Sequence, residues 1–500
     1  MISLENYQVS GASGELLVDQ LSFQLKPGEA LGIVGESGSG KSLSALGIFG
    51  LVPSSKLSYS GQLTLLNQQI IVGSPDWRNT CRQYFGREIG FIFQDPMSSL
   101  HPTKKCIYQI REAIHSPDKK LNWKVELSNM LEKVGLSMEL AKKYPFQLSG
   151  GQQQRIMIAM ALINEPKLII ADEPNTALDA DTSKEIGRLI KALCRELNAS
   201  LVVVSHDLHF VEELSDQILV LNSGKTMECG LAKEVFKEPK SLYTKELLAS
   251  KPEASKKGHF LSEVGNSKDQ NQEVIPSTIE ESSALETLLL NPVYGKDKKL
   301  YQPLKQPISF TLKKGAVLGL VGASGSGKSS IAKSLVGWVD ANGQVRIENE
   351  TKDLRDINWK SFRKEVQYVF QDPYSSLNPS RRVLSQLCDP FLHNKLGTRK
   401  EAEEKAKSLL QEVGLREADA KKYPHEFSGG QRQRIVIARA LMLSPKLLIC
   451  DECVSALDLS VQAKVLNLLK RLQIKYGLSI LFISHDKDVI EYFCDEVIEI

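Results

Sequence analysis

Two runs of this sequence carry the residue types that bind phosphate, GESGSGKS at Gly35–Ser42 and GASGSGKS at Gly322–Ser329. Each follows an apolar strand-like run, LGIVG or LGLVG, and precedes a helix-permissive stretch. That setting makes the G-x-x-x-x-G-K-[ST] spacing chemically meaningful. Glycine lets the backbone curl so that successive N–H groups and a helix start face an anion. In the first run, Gly35, Glu36, Ser37, Gly38, Ser39 and Gly40 form the cradle, Lys41 supplies a point charge and the Ser42 hydroxyl suits a divalent cation. In the second, Gly322, Ala323, Ser324, Gly325, Ser326 and Gly327 form the cradle, with Lys328 and Ser329 in the corresponding roles. The ligand expected is a nucleoside triphosphate, ATP, with Mg²⁺.

Further downstream, two more apolar runs end in paired carboxylates, Asp172-Glu173 and Asp451-Glu452. Magnesium prefers oxygen ligands, so Asp172 and Asp451 suit the metal alongside Ser42 and Ser329. The following glutamates, Glu173 and Glu452, are placed to orient or deprotonate an attacking water. His206 and His485, each in an SHD at the end of an apolar run, are assigned to sensing or polarising the γ-phosphate. Gln94 and Gln371, in FQDP, carry an amide able to contact Mg²⁺ or water.

The elements that must position these groups come in two copies. The phosphate loop, FQDP, an SGGQ segment, the carboxylate pair and SHD recur in one order, which implies two copies of a whole domain. The expected organisation is a first domain at 1–250, a linker at 251–283 and a second domain at 284–500. The linker is poor in aromatics, mixed in charge and without sustained period. Counted from the histidine block, Ile500 occupies the position of Leu221, so the second copy has no counterpart of NSGKTMECG or SLYTKELLAS. Apolar strand-like runs leading into helix-permissive stretches predict an α/β fold in each copy.

Composition narrows the class. Five hundred residues exceed one ordinary core, and 42% apolar with 25% charged residues is globular. With 63 basic and 60 acidic residues, the charge of +3 does not predict nucleic-acid binding. No apolar run reaches the roughly 18 residues that span a bilayer, and MISLENYQVSG does not read as a signal peptide, so a cytosolic location is expected. The eight cysteines are scattered and expected to be reduced. Cys450 and Cys453 bracket the second carboxylate pair, and that placement, rather than metal binding, explains their C-x-x-C spacing.

Taken together, these motifs resemble the nucleotide-binding domains of ABC transporters over nearly all of both halves, which implies a mixed sheet core with a helical signature subdomain in each and a flexible linker between them. LSGGQ and FSGGQ resemble that family's signature, whose serine hydroxyl, glycine N–H groups and helix start cap a nucleotide across a dimer interface. The resemblance implies that Ser428, Gly429, Gly430 and Gln431 cover the nucleotide on Gly35–Ser42. Ser149, Gly150, Gly151 and Gln152 would cover the one on Gly322–Ser329. FQDPxSSLxP and KKYP-x-x-(L/F)SGGQ are similar to words in the ATPases of dipeptide, oligopeptide, nickel and glutathione importers. Two transmembrane permease subunits, an extracytoplasmic solute-binding protein and a peripheral position on the cytoplasmic face of the inner membrane are implied.

Three departures from the family pattern stand out. No cysteine lies between Cys229 and Cys388, so no iron-sulfur cluster is expected. The adenine-stacking aromatic is ambiguous: Tyr7 and Tyr294 each lie 34 residues before their lysine, and Tyr301 competes. Cys453 replaces the family's usual proline without removing a catalytic group. A different class, a tandem ATPase acting on ribosomes or nucleic acid, would need a long, charged, helical connector in place of this linker.

Overall fold

The computed structural model describes residues 2–52, 56–115, 122–176, 178–265, 274–276, 279–295, 301–323, 325–347, 350–455 and 457–500. The chain divides into two units, Met1–Leu248 and Ala249–Ile500.

In the first unit one sheet carries ten strands: β1 Ile2–Ser10, β2 Leu16–Leu25, β3 Ala30–Gly35, β4 Ser58–Leu65, β5 Gln68–Val72, β6 Ile89–Ile92, β7 Leu168–Asp172, β8 Ser200–Val204, β9 Gln217–Asn222 and β10 Lys225–Leu231. Their order is β5-β4-β1-β2-β10-β9-β3-β8-β7-β6. From β9 to β6 the strands are parallel. The runs ALGIVG, LIIAD and SLVVV are buried at every position, which is why they read as continuous apolar stretches instead of alternating ones. At the other end, β5-β4-β1-β2 is antiparallel. Helices Cys106–Glu112, Trp123–Lys133 and Gly150–Leu162 share one apolar core through Ile110, Leu127, Leu131 and Ile156.

The second unit repeats the plan in two sheets. An antiparallel sheet, order β12-β11-β14-β15, is formed by β11 Ser283–Val293, β12 Ile308–Lys313, β14 Asp340–Ile347 and β15 Glu350–Asp353. A parallel sheet, order β16-β17-β18-β13-β19, is formed by β13 Val317–Val321, β16 Val366–Val369, β17 Leu447–Asp451, β18 Ser479–Ile483 and β19 Glu496–Glu499. In the first unit β10 joins the corresponding sheet halves, pairing with both β9 and β2.

The beginning of the segment expected as linker is built into the second unit. Leu261 is fully buried in its core, and the Asn467 side chain holds the Leu261 backbone in both directions, accepting from its N–H and donating to its carbonyl, each at 2.9 Å. Glu263 accepts from Asn467 at 3.0 Å, and the Tyr492 hydroxyl donates to the His259 carbonyl at 2.9 Å. Overall polarity hid this docking because one apolar pair, Phe260-Leu261, carries it. Within 266–283, only 274–276 and 279–283 are described.

Candidate active site

The parallel sheets bring the chemistry-bearing residues to one edge. In the first unit the adjacent strands β3, β8, β7 and β6 end, respectively, at the glycine-rich loop, His206, Asp172-Glu173 and Gln94. In the second, β13, β18, β17 and β16 end at the second loop, His485, Asp451-Glu452 and Gln371. The carboxyl edge of a parallel sheet is where open α/β folds bind ligands.

Each loop is shaped by close approach. A Cβ at Gly35 would lie 2.2 Å from the Leu221 carbonyl oxygen, and at Gly322 2.4 Å from that of Ile500. Gly40 (φ 97°) and Gly327 (φ 102°) turn the chain into the helices that start at Lys41 and Lys328 through a left-handed conformation that costs other residues strain. Lys41 Nζ donates to the carbonyls of Gly35 and Glu36, both at 2.9 Å, and Lys328 Nζ to those of Gly322 and Ala323 at 2.7 and 2.8 Å. Both ammonium groups therefore sit inside their own loops. The hydroxyls of Ser39 and Ser326 are buried without a hydrogen-bond partner, an uncommon condition that suits a polar ligand nearby. Ser37, Gly38 and Gly325 lie in the same turns, and Ser324 lies outside the described residues.

The expected metal ligands come together in both units. Ser42 donates to Asp172 Oδ1 at 3.1 Å and Ser329 to Asp451 Oδ1 at 3.0 Å, across 130 and 122 residues of chain. Burial pushes the Asp172 carboxyl up to about 6 against the pull of the Ser42 hydroxyl, and burial raises Asp451 likewise. Oxygen donors this close, on carboxylates whose charge burial disfavours, fit a hard dication.

The glutamates form the hub of each site. Glu173 and Glu452 both adopt φ 48°, a left-handed conformation uncommon outside glycine. Their N–H groups are tied to the Val204 and Ile483 carbonyls at 2.8 and 2.9 Å. Glu173 accepts from Gln94 Nε2 and from the Thr176 hydroxyl, both at 2.9 Å, and faces His206 Nδ1 at 3.4 Å. Glu452 accepts from Gln371 Nε2 at 2.7 Å and faces His485 Nδ1 at 3.5 Å. Burial acts to raise Glu173, but His206, Thr176 and Lys41 outweigh it and leave the carboxylate below its usual range. For Glu452 the bond to His485 is the largest influence and also lowers it. Both histidines are raised by the same contacts. Gln94 and Gln371 thus donate to the glutamates rather than pointing away from the site.

The SGGQ segments start helices Gly150–Leu162 and Gly429–Leu441 with matched capping boxes. Ser149 accepts from Gln152 N at 3.3 Å while Gln152 Oε1 accepts from Ser149 N at 3.1 Å. Ser428 and Gln431 do the same at 3.4 and 3.0 Å. A Cβ on Gly151 would meet Thr182 at 2.7 Å and on Gly430 Val461 at 2.0 Å, whereas Gly150 and Gly429 have more room.

Sequence reading missed some partners and left the adenine contact open among three tyrosines. Tyr7 is fully buried, with its hydroxyl on the Leu43 carbonyl at 2.9 Å, so it cannot offer a face to adenine. Spacing to the lysine could not decide among them because it counts residues, not strand faces. Tyr294 and Tyr301 are partly exposed and paired across a bridge, ring centroids 6.4 Å apart. Thr176 and Tyr368 were not singled out. Laying the two copies over each other position by position reveals both, since Thr176 becomes Ser455 and Phe91 becomes Tyr368.

Comparison with known proteins follows the same lines. The ABC transporter family matches at residues 18–176 and 305–455. The glutathione import ATP-binding protein GsiA of Salmonella choleraesuis is 39% identical over 499 residues, covering 95% of this chain and 80% of that protein. YejF of Escherichia coli K12, described as an uncharacterized ABC transporter ATP-binding protein, is 37% identical over 518 residues, covering 100% of this chain and 93% of that protein. The solved structure of cbiO1 from Clostridium perfringens, part of the cbiONQ ABC transporter complex, is 28% identical over 47% of this chain and 90% of its own, with a TM-score of 0.41.

Proposed function

The chain belongs to the ABC transporter family and is an ATP-binding ATPase with two such domains, and from that premise we propose that it powers an importer for glutathione or a related short peptide. The observation that carries the reading is similarity along 95% of the chain to a protein named for glutathione import, with both units holding a full set of site residues. Among the described residues no helix is long and apolar enough to cross a membrane. Translocation then falls to separate permease subunits, fed by a solute-binding protein, with this chain peripheral on the cytoplasmic face.

In this reading the loop N–H groups and Lys41 or Lys328 hold the β- and γ-phosphates. Mg²⁺ would be held by Ser42 and Asp172, or by Ser329 and Asp451, with Gln94 and Gln371 as further candidate ligands. Its charge would offset that of the phosphate oxygens. Glu173 and Glu452, oriented by their histidine and glutamine neighbours, accept the proton of the attacking water. Phosphoryl transfer needs little more than such positioning and charge stabilisation. The Ser149–Gln152 and Ser428–Gln431 segments, at capped helix starts, offer further backbone N–H groups to an anion.

Glu173→Gln with Glu452→Gln should lower ATP turnover by about 10²- to 10⁴-fold, the usual worth of a general base, while ATP binding persists. Uptake tests the cargo. Cells lacking the gene should lose accumulation of labelled glutathione or of short peptides, regained with the parent chain and not with the double variant. Unchanged uptake of both would refute the cargo assignment.

A further inference from the structure

The second site holds a hydrogen bond to its aspartate that the first lacks. In the second unit the Tyr368 hydroxyl donates to Asp451 Oδ2 while Ser329 holds Oδ1 at 3.0 Å, so both carboxylate oxygens are engaged. Register explains the contact. On the parallel pair β16 and β17, Tyr368 stands beside Ile449, and Asp451 follows two residues later on the same face. The ring is buried and held by Trp338 and Phe370, centroids 5.0 Å from each. The corresponding residue of the first unit, Phe91, packs against Phe49, Phe85 and Phe93 and has no hydroxyl to offer Asp172. Trp338 is itself a difference, since Leu51 stands at its position in the first copy.

We propose that Tyr368 is a positioning residue of the second ATP site, fixing the Asp451 carboxylate for its cation and making this site the tighter of the two for metal. This rests on the reading of Asp451 as a magnesium ligand. A hydroxyl donating to an ionised carboxylate makes a short, strong bond, and one aimed at the second oxygen fixes the plane of the group. Bonds that orient a metal ligand are typically worth ten- to a hundredfold in metal affinity. Asp172, oriented by Ser42 without a phenol, has more rotational freedom for the same task.

The test uses the full chain with Lys41→Ala, so that ADP is held by the second unit, and titrates Mn²⁺ as the Mg²⁺ surrogate by electron paramagnetic resonance. ADP affinity without metal is measured in parallel by calorimetry. Tyr368→Phe should raise the half-saturating Mn²⁺ about tenfold and leave metal-free ADP affinity unchanged. The same substitution in a Lys328→Ala chain, where the first unit binds, should shift nothing. A Tyr368→Phe curve superimposed on its parent, or an equal shift in the Lys328→Ala chain, overturns the proposal while leaving the magnesium reading intact. If ADP retention in the parent itself shows no metal dependence, the magnesium reading fails and the proposal with it. Should Tyr368→Phe not fold, Phe91→Tyr in the Lys328→Ala chain decides: a lower half-saturating Mn²⁺ supports the proposal and an unchanged one overturns it.

Discussion

The pairing of His206 with Glu173 has a consequence in pH. Burial alone would lower the histidine, yet its bond to Glu173 and the neighbouring carboxylate charge raise it. An unfolded histidine titrates near 6.5. The folded state therefore binds this proton more tightly, and the stability it brings is fully present below about 6.5 and lost as pH rises through the raised folded value. Glu173, lowered, contributes above about 4.3 and loses that contribution in stronger acid. Without nucleotide, the melting-temperature gap between parent and His206→Ala should be widest near pH 6 and narrow in the alkaline range; a constant gap would remove the ion pair from the account. Most of these groups were legible because phosphate and metal chemistry tolerate few residue types at fixed spacing. Thr176 and Tyr368 were not, because a lone hydroxyl in a strand or turn has no pattern of its own. The φ 48° of Glu173 and Glu452 has no sequence signal at all, since nothing in an Asp-Glu dipeptide announces a left-handed backbone.

At the scale of elements, glycines in the two SGGQ helices do unequal work. Gly430→Ala drives a methyl into Val461, whose branched side chain has little freedom to turn away, and should cost about 1–3 kcal/mol, the range for overpacking a core. Gly429→Ala, whose nearest neighbour would be Leu457 at 4.0 Å, should be far milder. Thermal denaturation of the two variants separates packing from ligand binding. The segment around Leu261 offers another check. Asn467→Ala leaves the buried Leu261 N–H and carbonyl without their side-chain partner, at about 1–3 kcal/mol for each orphaned group, so residues 254–263 should become the first site of limited proteolysis. Strand content was readable from fully buried runs such as LIIAD and LLICD, since both faces of a parallel sheet are covered. Docking of residues 254–263 was not readable, because two apolar residues among polar ones carry no period.

For the whole molecule, two copies of one domain predict two chemically similar sites, and the structure supplies each with lysine, serine-aspartate pair, glutamate, glutamine and histidine. Sequence repetition made this plan visible. The copies diverge at Phe91 and Tyr368, and at Asn175 and Val454, differences that shared motifs do not mark and only a position-by-position overlay exposes. Asn175 binds Ser183 and Asp207 at 3.2 and 3.1 Å, where Val454 is simply buried. The central claim is that each phosphate loop, with its own lysine, should hold ATP. ATP retained through rapid gel filtration by a Glu173→Gln, Glu452→Gln chain measures occupancy of both loops. That chain should retain two ATP, adding Lys41→Ala or Lys328→Ala should leave one, and adding both should leave none, whereas undiminished retention after either single change would contradict the account.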